Sequence, residues 1–356
     1  GGYLSNKVWK KIDLSDLSDN EYYDYIIKIA TLEKVKAVFA HYEKTLLRLY
    51  EILQGKNIEF KLIMPPYDLL KFVSDKTNVL HLVKELGIPL PDTTFYDYNE
   101  QNDLKDLIEV IKYNIPCIIK VSSEINNPLP GPKNRYVVIK SQYDLKEVPD
   151  FVKKHKNLII QRYIEGYGCG IAGIFHMGDP LAIGGHIRLR ESFKTGGVST
   201  FCLSRIHPEA KKYALRLMKE LKWDGIAMVE FKISNDSVPY FMEINPRIWG
   251  TIPLYIKSGI DIPIIAYKKF VYEELDYSYA NSFKENIKMR FLVEDLRAIN
   301  SQYRGFSKIL EIIKVFTSSI YVKDAVFDIR DPMPFIIPLL KTSLKKLKFQ
   351  KKYMEL

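Results

Sequence analysis

Between Ile226 and Gly250 the chain reads Ile-Ala-Met-Val-Glu-Phe-Lys-Ile, a polar turn, then Pro-Tyr-Phe-Met-Glu-Ile-Asn-Pro-Arg-Ile-Trp-Gly. The pattern predicts a β-hairpin that turns over Ser234 to Val238. Strand side chains alternate between faces, so Glu243 and Asn245 share one face and Glu230 joins them from the partner strand. Arg247 continues on that face. Both acids sit among Met, Val, Phe and Ile, where like charges about 4 Å apart cost roughly 4 kcal/mol at an effective dielectric near 20. A cation between them removes that cost. Mg²⁺ takes oxygen ligands at about 2.0 to 2.1 Å, commonly a few carboxylates completed by nucleotide phosphates and water. The set suits such an ion. The plainer alternative is a solvated hairpin whose outer face carries Glu, Glu, Asn and Arg.

A chain of 356 residues is too long for one core and suits two or three subdomains. Its 47% apolar and 27% charged residues exclude the disordered and collagen-like classes. Apolar runs such as Met333 to Leu340 fall short of the roughly 18 to 20 residues a spanning helix needs, which predicts a soluble protein. No charged, then apolar, then cleavable pattern opens the chain, which argues against secretion. Cys117, Cys169 and Cys202 form no Cys-x-x-Cys pair, so neither a disulfide framework nor a zinc site is expected, and a reducing cytoplasm fits. The net charge of +10 comes mostly from dispersed lysines, so DNA or RNA binding is not expected as the main role.

Residues 1–75 read as an α/β fragment: a strand at Val35 to Ala40, a helix at Glu43 to Leu53 and a strand at Phe60 to Met64. The chain opens Gly1-Gly2 with no initiator Met, which leaves open whether an upstream strand and helix are missing or the fold begins here. A helix from Ser74 with Val79, Leu82, Val83 and Leu86 on one stripe closes at Gly87 and Pro89. Strands at Ile115 to Val121, Arg135 to Lys140 and Leu158 to Ile164, with a helix at Tyr143 to Lys154, predict a small subdomain. Ile171 to Arg188 reads as a hairpin about Gly178-Asp179-Pro180, followed by a Gly-rich loop at Lys194 to Ser199 and helices at His207 to Leu221 and Trp249 to Lys257. Gly168-Cys-Gly-Ile-Ala-Gly173 matches Gly-x-Gly-x-x-Gly but enters a strand rather than a helix, so the dinucleotide fingerprint is rejected and the glycines read as a turn between strands. Cys169 has no adjacent His and is not expected to be a nucleophile.

Lys76 opens a helix and Lys120 ends a buried-looking strand, each a lone cation in an apolar frame. A phosphate is a natural partner, although either lysine taken alone reads as a side chain snorkelling to water. The order Asp-Lys helix, Ile-Ile-Lys strand, Ile-Ile-Gln-Arg-Tyr-Ile strand, Val-Glu-Phe, then Met-Glu-Ile-Asn-Pro-Arg resembles the ATP-grasp superfamily over roughly residues 60–270. It looks closest to the branch of carbamoyl-phosphate synthase and biotin carboxylase. The resemblance implies an α/β (α+β) ATP-grasp fold: a pre-ATP-grasp domain at 1–75, the ATP-grasp body at 76–270 with a lid at about 112–164 and a large part at about 165–270, and a C-terminal extension at 271–356. It further implies ATP phosphates at Lys76 and Lys120. Adenine would be read by Gln161 and the backbone of Arg162 and Ile164, with Glu165 near the ribose. Mg²⁺ or Mn²⁺ would sit on Glu230, Glu243 and Asn245, and Arg247 at the reacting phosphate or acyl oxygen. Arg188 and Arg190 are candidates to meet an acidic substrate, the alternative being ordinary exposed arginines. Two departures stand out: the loop Ser122 to Arg135 has one glycine where the family's is Gly-rich, and Glu165 is the near acid after the hinge.

The expected activity is ATP-dependent ligation of a small-molecule carboxylate, activated as an acylphosphate, to an amine. A small-molecule kinase, or an inactive ATP-binding module with a membrane- or RNA-binding basic tail, are the alternatives. In the tail, Ile336, Leu340, Leu344 and Leu347 recur at helical spacing beside the lysines from Lys341 onward; a docked terminal helix is preferred to a membrane-surface role.

Overall fold

Where the sequence alternates or repeats at helical spacing, the chain forms, in order, α1 (Asp19–Leu32), β1 (Ala37–Val38), α2 (Glu43–Leu53), β2 (Lys61–Leu62), α3 (Tyr67–Ser74) and α4 (Lys76–Glu85). There follow β3 (Thr93–Asp97), α5 (Leu104–Tyr113), β4 (Cys117–Val121), β5 (Tyr136–Ile139), α6 (Val148–Val152), β6 (Asn157–Arg162), β7 (Gly166–His176), β8 (Asp179–Phe193) and β9 (Gly196–Ser204). The chain continues through α7 (Pro208–Glu220), β10 (Gly225–Ser234), β11 (Pro239–Asn245), α8 (Ile252–Lys257), α9 (Ile262–Tyr272), β12 (Lys288–Arg290), α10 (Leu292–Gln302), α11 (Gly305–Ser318) and β13 (Lys323–Asp324). The computed structural model describes residues 4–14, 16–97, 104–123, 135–155, 157–194 and 196–340. Most of the loop after Ser123, and the lysine-rich end of the chain from Lys341, lie outside the described residues. Two compact units form: a larger one of Ala30–Arg188 with Ser204–Glu285, and a smaller one of Gly1–Ile29, Leu189–Leu203 and the chain from Asn286.

Three hydrophobic cores of the larger unit position the site. Around the parallel pair β1 and β2, Leu46 and Leu47 of α2 pack with Met64 and Leu70. The second core lies under the antiparallel sheet of order β3-β6-β4-β5. Alternation along β4 turns Cys117, Ile119 and Val121 onto Leu107, Ile111, Val148 and Phe151, and sends Lys120 to the opposite face. The third core lies between the strands β11-β10-β7-β8 and the helices α4 and α7, where Cys169, Ile171, Val229, Phe231 and Ile244 meet Val83, Ala214 and Leu217. In the smaller unit, β9 pairs antiparallel with β12, which pairs parallel with β13, and α10 and α11 follow β12 in sequence.

Caps and prolines set several boundaries. Asp75 accepts from the Thr77 N–H at 2.9 Å and starts α4 at Lys76. The single helix expected at Tyr143 to Lys154 is instead a 3₁₀ turn at Gln142–Glu147, closed by a capping box between Ser141 and Asp144, followed by α6 with a proline in its first turn. Gly196 and Gly197, expected in a loop, open strand β9. No helix among the described residues is long and apolar enough to cross a membrane.

Candidate functional site

The predicted hairpin forms as β10 and β11, with Glu230 directly opposite Glu243 and Met228 opposite Asn245. The three polar side chains therefore converge on one face of the sheet. Asn245 donates from Nδ2 to Glu230 Oε1 at 3.2 Å and to Glu243 Oε1 at 3.5 Å, and its Oδ1 accepts from Arg247 Nη2 at 3.2 Å. Which amide atom faces the carboxylates follows from this network, and a half-turn of the amide would offer Oδ1 to them instead. A polarised N–H thus stands where a cation would lie between two carboxylates. The donor set, two carboxylates and a carboxamide, fits a hard divalent ion such as Mg²⁺. No group of three or more His, Cys, Asp and Glu that could hold a metal occurs among the described residues.

Cations ring the pair. Lys76, in the first turn of α4, reaches Glu243 at 3.3 Å, and its backbone N–H donates to Ser122 O at 2.9 Å, which ties α4 to the end of β4. Arg188 donates to Glu230 at 2.6 Å. Burial disfavours the Glu243 carboxylate, but Lys76, Lys120 and Arg247 outweigh it and hold the group down to about 2. Burial pushes the Lys120 ammonium down to about 8, with Lys76 adding to the fall against the pull of Glu243 and Glu230. Lys120 donates to Gln161 Oε1 at 2.9 Å, and Gln161 Nε2 donates to Thr93 Oγ1 at 2.9 Å.

The rest of this face is cleared by glycines. Gly168 and Gly170 were expected in a turn, yet they lie inside β7, paired with Lys232 and Glu230 of β10 on one side. The reason sits on the other neighbouring strand. A Cβ on Gly168 would stand 2.7 Å from Arg188 Cδ, on the side chain that reaches Glu230, and one on Gly170 would stand 2.5 Å from His186 Cε1. These glycines make room for two long side chains of β8. His186 contacts Tyr255 Oη at 3.1 Å, and burial, then Arg188, push it down to about 3, so its imidazole is neutral at ordinary pH. On the opposite face Cys169 is buried and its thiol is pushed up to about 12, which removes it as a nucleophile.

Beside the carboxylates a cleft opens. Its lining includes Glu43, Ser74, Lys76, Arg135, Glu243 and Arg247. Glu43, in the first turn of α2, lies 3.5 Å from Arg247 Nε. Nothing in the local sequence marks it out, because the contact joins two segments far apart along the chain.

Other expected residues fall elsewhere. Gln161 is buried at 1% exposure, and both ends of its amide are engaged with Lys120 and Thr93, so it does not present that amide to a base. The Arg162 N–H already donates to Asp92 O, and its guanidinium meets Asp92 at 3.0 Å. Ile164 is buried just beyond β6 and Glu165 is exposed next to it. Arg190 does not join the site: it pairs with Asp295 at 2.8 Å and with Glu311, both in the smaller unit.

Residues 154–293 match the family described as "ATP-grasp in the biosynthetic pathway with Ter operon". That span holds Arg188, Glu230, Glu243, Asn245 and Arg247. Among solved structures, the chain is similar to the biotin carboxylase of Campylobacter jejuni, solved as a β-γ-ATP complex, at 17% identity and a TM-score of 0.61 over 76% of this chain and 62% of that one. It is similar to the biotin carboxylase domain of the Hydrogenobacter thermophilus 2-oxoglutarate carboxylase, solved with MgADP and bicarbonate, at 16% identity and a TM-score of 0.59 over 78% of this chain and 62% of that one. It is also similar to the N5-carboxyaminoimidazole synthase of Aspergillus clavatus, solved with ADP and 5-aminoimidazole ribonucleotide, at 15% identity and a TM-score of 0.54 over 75% of this chain and 66% of that one. The chain thus spans less than two thirds of the length of each of these. No curated protein matches the sequence significantly.

Proposed function

We propose that this chain, which has the ATP-grasp fold, is an ATP-dependent ligase that joins a small-molecule carboxylate to an amine. The observation that carries the reading is the facing pair Glu230 and Glu243 with Asn245 between them, ringed by Lys76, Lys120, Arg188 and Arg247 at the edge of a cleft. Arg135 also lines the cleft, so five cations stand against three carboxylates, Glu43, Glu230 and Glu243, and the net positive charge suits a polyphosphate. Magnesium, when held by Glu230, Glu243 and Asn245, supplies charge neutralisation at the phosphates of ATP.

The protein's own groups position and neutralise. Lys76 and Lys120 bind phosphate oxygens, Lys120 held in place by Gln161. The Ile164 backbone is the hinge contact for the base, with Glu165 nearest the ribose. Arg247, oriented by Asn245 and Glu43, binds the substrate carboxylate beside the γ-phosphate. Arg188 pairs with Glu230 and holds it in place at the centre. A carboxylate oxygen attacks the γ-phosphorus and the bond to the β,γ-bridging oxygen breaks, so ADP leaves with that electron pair and an acylphosphate forms. The amine then attacks the acyl carbon, inorganic phosphate departs, and the nitrogen loses one proton. Positioning and charge stabilisation carry such transfers without a covalent enzyme intermediate.

The test is a screen of carboxylates for ADP release with hydroxylamine present. The expected result is a hydroxamate formed in step with ADP and lost in Glu243→Gln. Release of AMP and pyrophosphate would overturn the acylphosphate route, and ADP with a stable phosphate ester would identify a kinase.

A further inference from the structure

Helix α11 of the smaller unit turns its apolar side to solvent. The side it turns inward is narrow and held by polar anchors: Glu311 pairs with Arg190, the Val315 carbonyl accepts from Arg290 at 2.9 Å, and Ser318 Oγ accepts from Arg290 at 3.1 Å. Val315 and Ser318 are its buried residues. The outward side carries Phe306, Ile309, Leu310, Ile313 and Phe316, at spacings i, i+3, i+4, i+7 and i+10, and every one is exposed. Phe316 is 64% exposed, and Ile320, one turn further, is 94% exposed. A helix in water normally hides such a stripe, and a contiguous exposed apolar patch marks an interaction surface.

Charge says what covers it. Arg304, Lys308, Lys314 and Lys323 lie along the same stretch against one acid, Glu311, which is shared between Arg190 and, at 2.7 Å, Lys314. Helical residues 333–340 repeat the theme, with Met333, Ile336 and Leu340 exposed at i, i+3 and i+7. The sequence beyond them keeps that spacing at Leu344 and Leu347 and adds Lys341, Lys345, Lys346, Lys348, Lys351 and Lys352 against one acid, Glu355. An apolar stripe alone suits a second copy of the chain. An apolar stripe flanked by an excess of cations suits a partner that is apolar and anionic at once.

We propose that the smaller unit docks through α11 on the surface of an anionic lipid bilayer. Phe306, Ile309, Ile313 and Phe316 enter the boundary between headgroups and acyl chains, and Arg304, Lys308 and Lys323 meet lipid phosphates. The proposal is independent of the ligase reading.

The experiment is co-sedimentation of the full chain with vesicles of phosphatidylcholine alone or of equimolar phosphatidylcholine and phosphatidylglycerol. The expected result is binding to the mixed vesicles that weakens with salt, and little binding to the neutral ones. Ile313→Glu and Phe316→Glu, both on the solvent side, should each reduce binding by more than about tenfold with melting temperature and ATP affinity unchanged. Failure to bind the mixed vesicles, or equal binding by Ile313→Glu, would overturn the proposal. A dimer in sedimentation velocity that Ile313→Glu separates into monomers would assign the face to a second copy.

Discussion

Arg188 and Arg190 lie two residues apart on β8 but enter different charge balances. In the larger unit Arg188 joins Lys76, Lys120 and Arg247 against Glu43, Glu230 and Glu243, an excess of cation beside a cleft. In the smaller unit Arg190 and Arg290 share the fully buried Asp295, Arg190 also pairs with Glu311, and Thr200 donates to the second oxygen of Asp295 at 2.9 Å. Two arginines and two carboxylates close on each other there, with Lys314 reaching Glu311 from the exposed side at 2.7 Å. A balanced, enclosed set holds structure, whereas an unbalanced one facing a cleft shifts proton affinities and awaits a ligand.

The contrast predicts its largest effect in the closed set. Asp295→Ala removes the anion that both arginines share in the interior, and should cost about 3 to 5 kcal/mol by chemical denaturation. Equal destabilisation by Glu243→Ala would break the contrast, because the larger unit's carboxylates would then be structural too.

Next comes turnover. Glu243→Gln keeps the shape of the side chain and removes one metal-facing charge, so activity should fall about a hundred- to a thousandfold while the melting temperature hardly moves. Arg190→Lys should do the reverse, lowering the melting temperature and sparing turnover. Loss of turnover in folded Arg190→Lys would return that residue to the site.

Those two arginines also mark what the sequence could carry. The grouping of Glu230, Glu243 and Asn245 was legible because strand alternation and a short turn are local rules, and the structure obeys them. The sequence also offered Arg188 and Arg190 together, but could not foresee that Asp295 of α10, in a tail left undivided, would capture the second. Gly168 and Gly170 were misread because a glycine's usual local meaning is a turn, while here its cause is the bulk of Arg188 and His186 on the neighbouring strand. Glu43 was invisible for the same reason, since its partner Arg247 arrives by tertiary packing.

A smaller effect should appear in the pH dependence of the larger unit. The Lys120 ammonium sits at about 8 against an ordinary 10.5, so between those values the unfolded chain holds a proton that the folded chain has released. Stability from this group therefore rises with pH across that window. Nucleotide affinity should run the other way and decline as pH climbs past 8, because phosphate oxygens favour the charged ammonium. Lys120→Ala should weaken ATP about ten- to a hundredfold, in line with about 1.5 to 3 kcal/mol for a charge-assisted bond, and should flatten that decline in calorimetric titrations. A parent protein with no decline above pH 8 would mean that Lys120 does not meet the phosphates.

The smallest effect belongs to Glu43. Its contact with Arg247 is long, at 3.5 Å, and both side chains keep about a fifth of their surface in solvent (22% and 20%), so the ion pair itself contributes no more than about 1 kcal/mol. Arg247 is also held from the other side by Asn245 Oδ1 and the Ile248 carbonyl, which preserves its general placement when Glu43 is changed. Glu43→Gln should therefore leave melting temperature and ATP affinity unaltered and raise KM for the carboxylate a few-fold, with kcat within a factor of about two, because the loss falls on the aim of one guanidinium rather than on the charge of the centre. If kcat dropped with KM unchanged, Glu43 would act on the transferring phosphate, and the charge excess that sets the larger unit apart would have to be counted without it.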